Sequence, residues 1–351
     1  EVAEGPYFNE FDDTRDGGKT ENKSISAGLE FFPEDNSILT LKTVVDSSND
    51  NRNRFRYDTG VNATKRFTNN TDTSGWENSY IGVHALNYEQ QWQNVKLTSI
   101  TGYTDYEKEF EIDLDVSTLP WPATQQKISD QTISQEIRLS SINQNSNVKF
   151  LLGLYGFSQI TDIDFSISPM AITSVRETEV TQEGVAGFSQ IEYGFTDSFK
   201  LTLGARLEQL TQHGKQAYTS PAGELQYDKK MNGNVFLPKI NLSLDLNDNN
   251  FLYGSIAKGY LPGGYNSNSA NSEDTLSFEA EYTISSELGL KSEWFNQSVN
   301  TELQVFYTQV NDKQIVDILP GFVQKINNAG EAVLYGAELS IAGVINSKWK
   351  N

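Results

Sequence analysis

The amino-acid sequence predicts an all-β fold, a large antiparallel transmembrane β-barrel laid out as a long meander of about 13–14 strands. Three observations predict it. Long segments alternate apolar and polar residues with a period of two. Short turns and long polar connections alternate along the chain. Aromatic residues gather beside the short turns.

The clearest stretch is Phe251 to Ile341. From Glu281 onward, Tyr282, Ile284, Ser286, Leu288, Leu290, Ser292 and Trp294 fall on one face of an extended chain, and Glu281, Thr283, Ser285, Glu287, Gly289, Lys291 and Glu293 on the other. A tight turn at Asn296-Gln297-Ser298 follows. The return strand sorts Val299, Thr301, Leu303, Val305 and Tyr307 against Asn300, Glu302 and Gln304. Only a strand separates residues this way.

The rest of the chain repeats the plan. Residues 1 to 23 read as an acidic, Gly-rich loop. Ile25, Ala27, Leu29 and Phe31 then alternate with polar or small neighbours, a turn falls at Pro33 to Asn36, and Leu39, Leu41, Thr43 and Val45 resume the pattern. Short turns fall near Asp35, Gln93, Asn145, Asp197, Asp248, Gln297 and Ser347, spaced 49 to 58 residues apart. Polar connections are expected over 49–77, 108–130, 166–179, 214–231, 261–279 and 314–331. Strands of roughly 10–16 residues can cross a bilayer at a tilt, whereas soluble strands are nearer five or six. A period near 50 also suits a kelch-like propeller, but a blade needs four short strands and each unit offers two long ones.

Phe31 and Phe32, Trp92, Tyr193 with Phe195 and Phe199, Phe251 with Tyr253, Trp294 with Phe295, and Trp349 crowd the short turns, as an interfacial girdle would.

Composition narrows the function. The chain has 351 residues, no cysteine, a formal net charge of −20 and a pI near 4.5. Disulfides and thiolate metal sites are excluded. Phosphate binding needs a basic surface, so nucleic acid is not an expected partner. Only 37% of residues are hydrophobic and the mean hydropathy is −0.51. A barrel greasy outside and wet inside uses such a supply well. No run of about 20 apolar residues occurs, so no transmembrane helix is expected, and no signal-peptide pattern opens the sequence. Both ends read as cut, so residues 1–351 are expected to be an internal part of a longer protein.

Several strings resemble the barrel of TonB-dependent outer-membrane receptors: KGYLPGGYN, ISSELGLKSEWFNQSVNTELQVFYTQVNDKQIV, NNAGEAVLYGAELS, KLTSITGYTDYEKEFEIDLD (Lys96 to Asp115), SQEIRLSS (Ser134 to Ser141) and FLLGLYGFSQ (Phe150 to Gln159). The match runs from about Ile25 and is strongest from Gln131. The resemblance implies a 22-stranded barrel in the cell outer membrane, surrounded by lipid and lipopolysaccharide. It also implies an N-terminal plug through which the TonB–ExbB–ExbD complex supplies energy. The plug with its energy-coupling box, the last third of the barrel and the usual C-terminal aromatic residue are not seen in this chain.

Candidate sites come from the long connections, because function concentrates on loops held by a rigid scaffold. Arg52, Arg54, Arg56, Lys65 and Arg66 form a basic cluster in an acidic chain, with Phe55 and Tyr57 among them. It could draw in an anionic ferric chelate, or be a solvated loop or a lipopolysaccharide contact. Trp76, Trp121, Tyr218 and Tyr265 could stack on a ligand or pack the loops. Asp105, Glu107, Glu109, Glu111, Asp113 and Asp115 occupy every second position. Glu109, Glu111, Asp113 and Asp115 are weak cation candidates, since a straight strand spaces such groups about 6.6 Å apart, too far for one ion without a fold-back. A solvated or lumen-facing acidic strand is the simpler reading. An apparent phase slip at Ser99-Ile100 obscures which face is inside.

His84 and His213 lack metal-ligand spacing, and no nucleophile-elbow context surrounds any serine. No cofactor and no catalysis are expected. The expected function is uptake of a scarce nutrient, a ferric siderophore being the class the resemblance most implies, with cobalamin, haem or oligosaccharide as alternatives. A passive porin-like channel, which would need a constriction loop, and a soluble β-propeller are the rivals.

Overall fold

Alternation in the sequence becomes strand throughout the computed structural model, which describes residues 2–3 and 5–343 apart from 52–53, 74, 120–122, 144–145, 169–172 and 320–322. In chain order these are β1 (Val2–Ala3), β2 (Tyr7–Asn9), β3 (Thr14–Gly17), β4 (Thr20–Phe31), β5 (Ser37–Asn51), β6 (Thr68–Asn69) and β7 (Trp76–Gln91). Then come β8 (Val95–Asp113), β9 (Ala123–Ser141), β10 (Val148–Ile167), β11 (Ser174–Gly194), β12 (Phe199–Ser220), β13 (Gly223–Asn247) and β14 (Asn250–Leu261). The last are β15 (Gly264–Tyr265), α1 (Glu273–Leu276), β16 (Ser277–Phe278), β17 (Glu281–Trp294), β18 (Val299–Leu319) and β19 (Val323–Gly343).

Thirteen long strands and the two-residue β1 form one sheet in the order β1-β4-β5-β7-β8-β9-β10-β11-β12-β13-β14-β17-β18-β19. Each long strand pairs antiparallel with the next long one. One continuous sheet excludes the four-stranded blades of a propeller. The turns at Asn145 and Ser347, like Trp349, lie outside the described residues. At the Asn296 turn, Phe295, Asn296 and Gln297 all take positive φ (54°, 54° and 66°).

The two faces differ in chemistry. On one, Leu203 sits between Ile191 and Ile240 in register, and the three are 48%, 49% and 46% exposed. Leu154, Val185, Leu207, Ile256, Leu288 and Leu303 extend this band of exposed apolar residues. A contiguous apolar belt on this scale needs lipid against it. The opposite face carries Arg206 paired with Glu208, Arg138 with Glu136, and Lys291 with Glu302. That face is the lumen.

The register across Ser99 and Ile100 is unbroken, so no slip occurs. The pattern falters there because Ser99 and Thr101 are polar on the outward face, where Gln135 bonds both, at 2.9 Å and 2.5 Å. The girdle is present in Trp92, Tyr193, Phe195, Trp294 and Phe295, all exposed beside short turns. Phe251 and Tyr253 are exceptions. Their parity turns them inward, and the Tyr253 hydroxyl donates to Glu302 Oε1 at 3.0 Å.

Inward-facing glycines lie beneath aromatic rings from the neighbouring strand. Gly153 is opposite Phe188 and Gly184 opposite Phe157. A Cβ would come within 2.1 Å and 2.3 Å of those rings, so only glycine lets the rings lie against the wall.

The connections differ from expectation. The thirteen long strands run 12 to 25 residues. The polar stretch 214–231 is no loop: β12 and β13 pair until Ser220 meets Gly223. Most of 108–130, 166–179 and 314–331 is likewise strand. Above the apolar band the outward face meets water and the inward face is polar as well, so the two-residue contrast fades while the backbone ladder continues. The stretch 262–279 does leave the sheet, and the buried side chains Phe165, Ile167, Val180, Leu210 and Val235 lie on the inward face of β10 to β13.

Candidate ligand site at the mouth of the barrel

The loop 262–280, which holds β15, α1 and β16, folds into the lumen at the long-connection end. A notch in the wall makes room for it. β14 ends at Leu261 and pairs with β13 only from Lys239 to Asn247, so residues 223–238 of β13 have no strand partner on that side. On the far side β18 and β19 remain paired beyond the top of β17.

Side chains of the wall seize the loop by its backbone. On one side Gln212 Nε2 donates to the Gly263 carbonyl at 3.1 Å and Gln216 Nε2 to the Ser267 carbonyl at 2.8 Å. Gln126 Nε2 donates to Asn268 Oδ1 at 3.3 Å. On the other side Asn266, 4% exposed, completes a strand-like pair with Ile326, donating to its carbonyl at 3.0 Å and accepting from its amide at 2.8 Å. Gln314 donates to the Pro262 and Glu279 carbonyls. Ala270 and Leu276 become fully buried.

Beneath the loop lies Arg176, 9% exposed. Its guanidinium carbon sits 4.3 Å from the centroid of the Tyr218 ring, a cation–π contact. Its Nε donates to the Ala270 carbonyl at 3.4 Å. Among the described residues no carboxylate pairs with it. Burial pushes its guanidinium below the ordinary value, because a cation without a counter-ion is poorly solvated there. On this inward face of the wall and in the loop, four buried polar atoms have no hydrogen-bond partner among the described residues: Gln216 Oε1, the Tyr227 hydroxyl, Ser269 Oγ and, two strands away on β9, Thr124 Oγ1. Register places Tyr218 opposite Arg176, and Gln216 opposite both Thr178 and Tyr227, on one inward face.

The sequence-predicted residues divide between this site and a second region. Tyr218 forms the floor under Arg176. Tyr265 packs where a Cβ on Gly214 would lie 2.5 Å from its ring, and its hydroxyl donates to the Lys229 carbonyl at 2.9 Å. The basic cluster lies elsewhere, over the turn after β8. Arg54 pairs with Asp50, Arg56 with Asp58, and the Tyr57 hydroxyl donates to the Asp115 carbonyl at 3.1 Å. Trp76 Nε1 donates to Glu111 Oε2 at 3.0 Å. Arg52 and Trp121 lie outside the described residues. Arg176, Gln216, Tyr227 and Ser269 escaped the sequence reading. One signal was available: in SVRETEVTQEG, Arg176 shares a face with Thr178 and Val180, while Glu177, Glu179 and Glu183 share the other.

The acidic run splits as well. Asp105 to Asp113 share the outward face of β8, not the lumen, since Tyr103 on the same face pairs with exposed Ile133. Glu109 and Glu111 stay apart on the strand. The turn after it, with Val116 at φ 49°, folds Asp115 back, and Asp72, Asp113 and Asp115 bring carboxylate oxygens within 4.8 Å of one another. Burial and the Asp115 side chain push the Asp113 carboxyl up from 3.8 to about 7. This group lies above the apolar band.

A pH dependence follows. Below about pH 4 the folded and unfolded chains both hold the Asp113 proton, and the carboxyl costs nothing. Between about pH 4 and 7 the unfolded chain ionises first, so the turn loses stability as pH rises. Amide-exchange protection at Val116 and Ser117, corrected for intrinsic rates, should fall about tenfold or more from pH 5 to 8. The Asp113→Asn protein should show no such fall.

Comparison with known proteins places this geometry. The family model described as "TonB dependent receptor-like, beta-barrel" matches residues 5–351. The pesticin receptor of Yersinia enterocolitica is 28% identical over 220 residues, covering 62% of this chain and 31% of that protein. The fold superposes on the ferric yersiniabactin uptake receptor FyuA of Yersinia pestis with a TM-score of 0.85 at 19% identity, over 99% of this chain and 53% of that one. It superposes on the siderophore receptor PiuA of Acinetobacter baumannii with a TM-score of 0.72 at 15% identity, over 94% and 55%. The chain thus spans about a third of the curated relative and half of each solved receptor.

Proposed function

This chain belongs to the TonB-dependent receptor β-barrel family of the outer membrane, and on that premise we propose that the complete protein takes up a ferric siderophore. The observation that carries the reading is the two-faced wall: lipid-facing outside, polar inside, with a buried cation at its mouth. The names of the relatives, a ferric yersiniabactin receptor among them, support an iron chelate as the ligand.

In this reading residues 1–351 are part of a larger barrel whose remaining strands pair with the open edges of β4 and β19. A plug fills the lumen, and the TonB–ExbB–ExbD complex acts on that plug. Ligand reaches the mouth, contacts the loops that carry Arg54, Arg56, Tyr57 and Tyr265, and passes when the plug rearranges. Binding and displacement do the work, and no covalent bond is made or broken.

The test uses the native cells. Outer-membrane abundance of the complete protein and uptake of radioactive iron chelates should both rise several-fold on iron starvation. Unchanged abundance would sink the siderophore reading and favour cobalamin, haem or oligosaccharide. A second reading has one observation in its favour: the inward loop 262–280 is the kind of constriction a passive channel needs. Uptake that persists after the inner-membrane potential is collapsed would support the channel and overturn the receptor.

A further inference from the structure

Within the receptor reading, we propose that Arg176 is the anion-recognising residue of a luminal subsite covered by the loop 262–280, and that the oxyanion of a hydroxyl-bearing ligand takes the place of the Ala270 carbonyl. Four observations carry it. First, a guanidinium offers five donors in a fixed fork suited to a carboxylate or phosphate. Here its hydrogen bond to the loop is a long one, 3.4 Å, to a neutral carbonyl. Tyr218 covers the guanidinium's face and leaves the edge toward the loop.

Second, the orphaned groups around it form a complementary set. The hydroxyls of Tyr227 and Ser269 can each donate to an oxyanion, and Gln216 Oε1 can accept from a ligand hydroxyl. Gln216 is 2% and Ser269 5% exposed. Buried polar atoms left unpaired at this density mark a place where other polar atoms belong.

Third, the charges are sorted by side. Asp162, Asp164, Glu177, Glu179 and Asp228 lie along the same stretch of β10, β11 and β13, but strand parity turns all five outward. Along this stretch the cation faces the lumen and these five carboxylates face away.

Fourth, the cover is held mainly through neutral amides of Gln212, Gln216, Asn266 and Gln314 acting on backbone groups. Such neutral bonds add only modestly to stability, so an oxyanion pairing with Arg176 can compete with them.

The experiment titrates the purified full-length receptor with three oxyanion probes, citrate, salicylate and inorganic phosphate, and with the neutral trimethyl ester of citrate. Calorimetry measures binding, and amide exchange follows residues 268–272. At least one oxyanion should bind saturably and speed exchange at 268–272, while the ester should do neither. Arg176→Gln should weaken binding at least tenfold and abolish the exchange response, with Arg176→Lys between. Tyr227→Phe and Ser269→Ala, which leave the cation in place, should each weaken binding several-fold and guard against a folding defect in Arg176→Gln. Equal binding by Arg176→Gln, equal binding of the ester, or no saturable binding of any oxyanion by the unaltered receptor would overturn the subsite. Oxyanion binding lost in Arg176→Gln, together with iron-independent expression, would keep the subsite and overturn the ferric-siderophore reading.

Discussion

Replacing Asn266 with leucine in the complete protein is expected to release the loop 262–280 from the wall. The amide side chain replaces a missing strand: it pairs with both backbone groups of Ile326 and also donates to the Thr275 carbonyl at 3.2 Å. Leucine has a similar volume and none of these bonds. The Ile326 amide and carbonyl would be left unpaired beneath an apolar side chain in a half-buried place, each costing up to about 1–3 kcal/mol. The loop escapes that cost by detaching. Amide exchange at Ile326 and across 263–276 should accelerate by about a hundredfold or more, while the ladder of β10 to β12 should be unmoved. A loop that keeps its protection in the leucine protein would show that the contacts from Gln212, Gln216 and Gln314 suffice to hold it. Asparagine at this position then serves no structural need.

An arginine at position 203 should act on the whole fold. Leu203 stands in the middle of the apolar band, with Ile191 and Ile240 beside it. A cation at the bilayer midplane costs a barrel about 2–4 kcal/mol. Urea unfolding of the complete protein in phospholipid vesicles should register that loss for Leu203→Arg. The neighbouring Thr202→Arg makes the contrast. Thr202 faces the lumen opposite Glu192, and the change there should cost no more than about 0.5 kcal/mol. Equal losses at both positions would mean that the outward face is not in lipid.

Much of the wall was legible in the residues themselves. Leu288 and Leu303 face outward because they fall in step with Ile284 and Val305, and a strand has no other way to sort them. Above the bilayer that signal disappears. The stretch from Gly214 to Met231 has polar residues on both faces, since one meets water and the other grips the backbone of the loop 262–280, and so it reads as a loop although it is a hairpin. Tyr253 collects near a short turn like a girdle residue, yet its parity carries it to Glu302 in the lumen.

The candidate site was legible only in parts. Tyr218 and Tyr265 were visible as aromatics in polar stretches, but Arg176 looked like one cation among glutamates. Sequence alone determined the strand period, the order of strands in the sheet and the sorting of apolar from polar faces, because these follow from contacts between neighbours in the chain. Tertiary structure alone decided that a loop whose Ala270 lies 94 residues beyond Arg176 would roof it, that Asn266 would join Ile326, and that Asp72 would meet Asp113 and Asp115. Those meetings depend on where the wall is tall, where it is notched and which way a turn folds back. No local alternation of residues encodes such heights and distances.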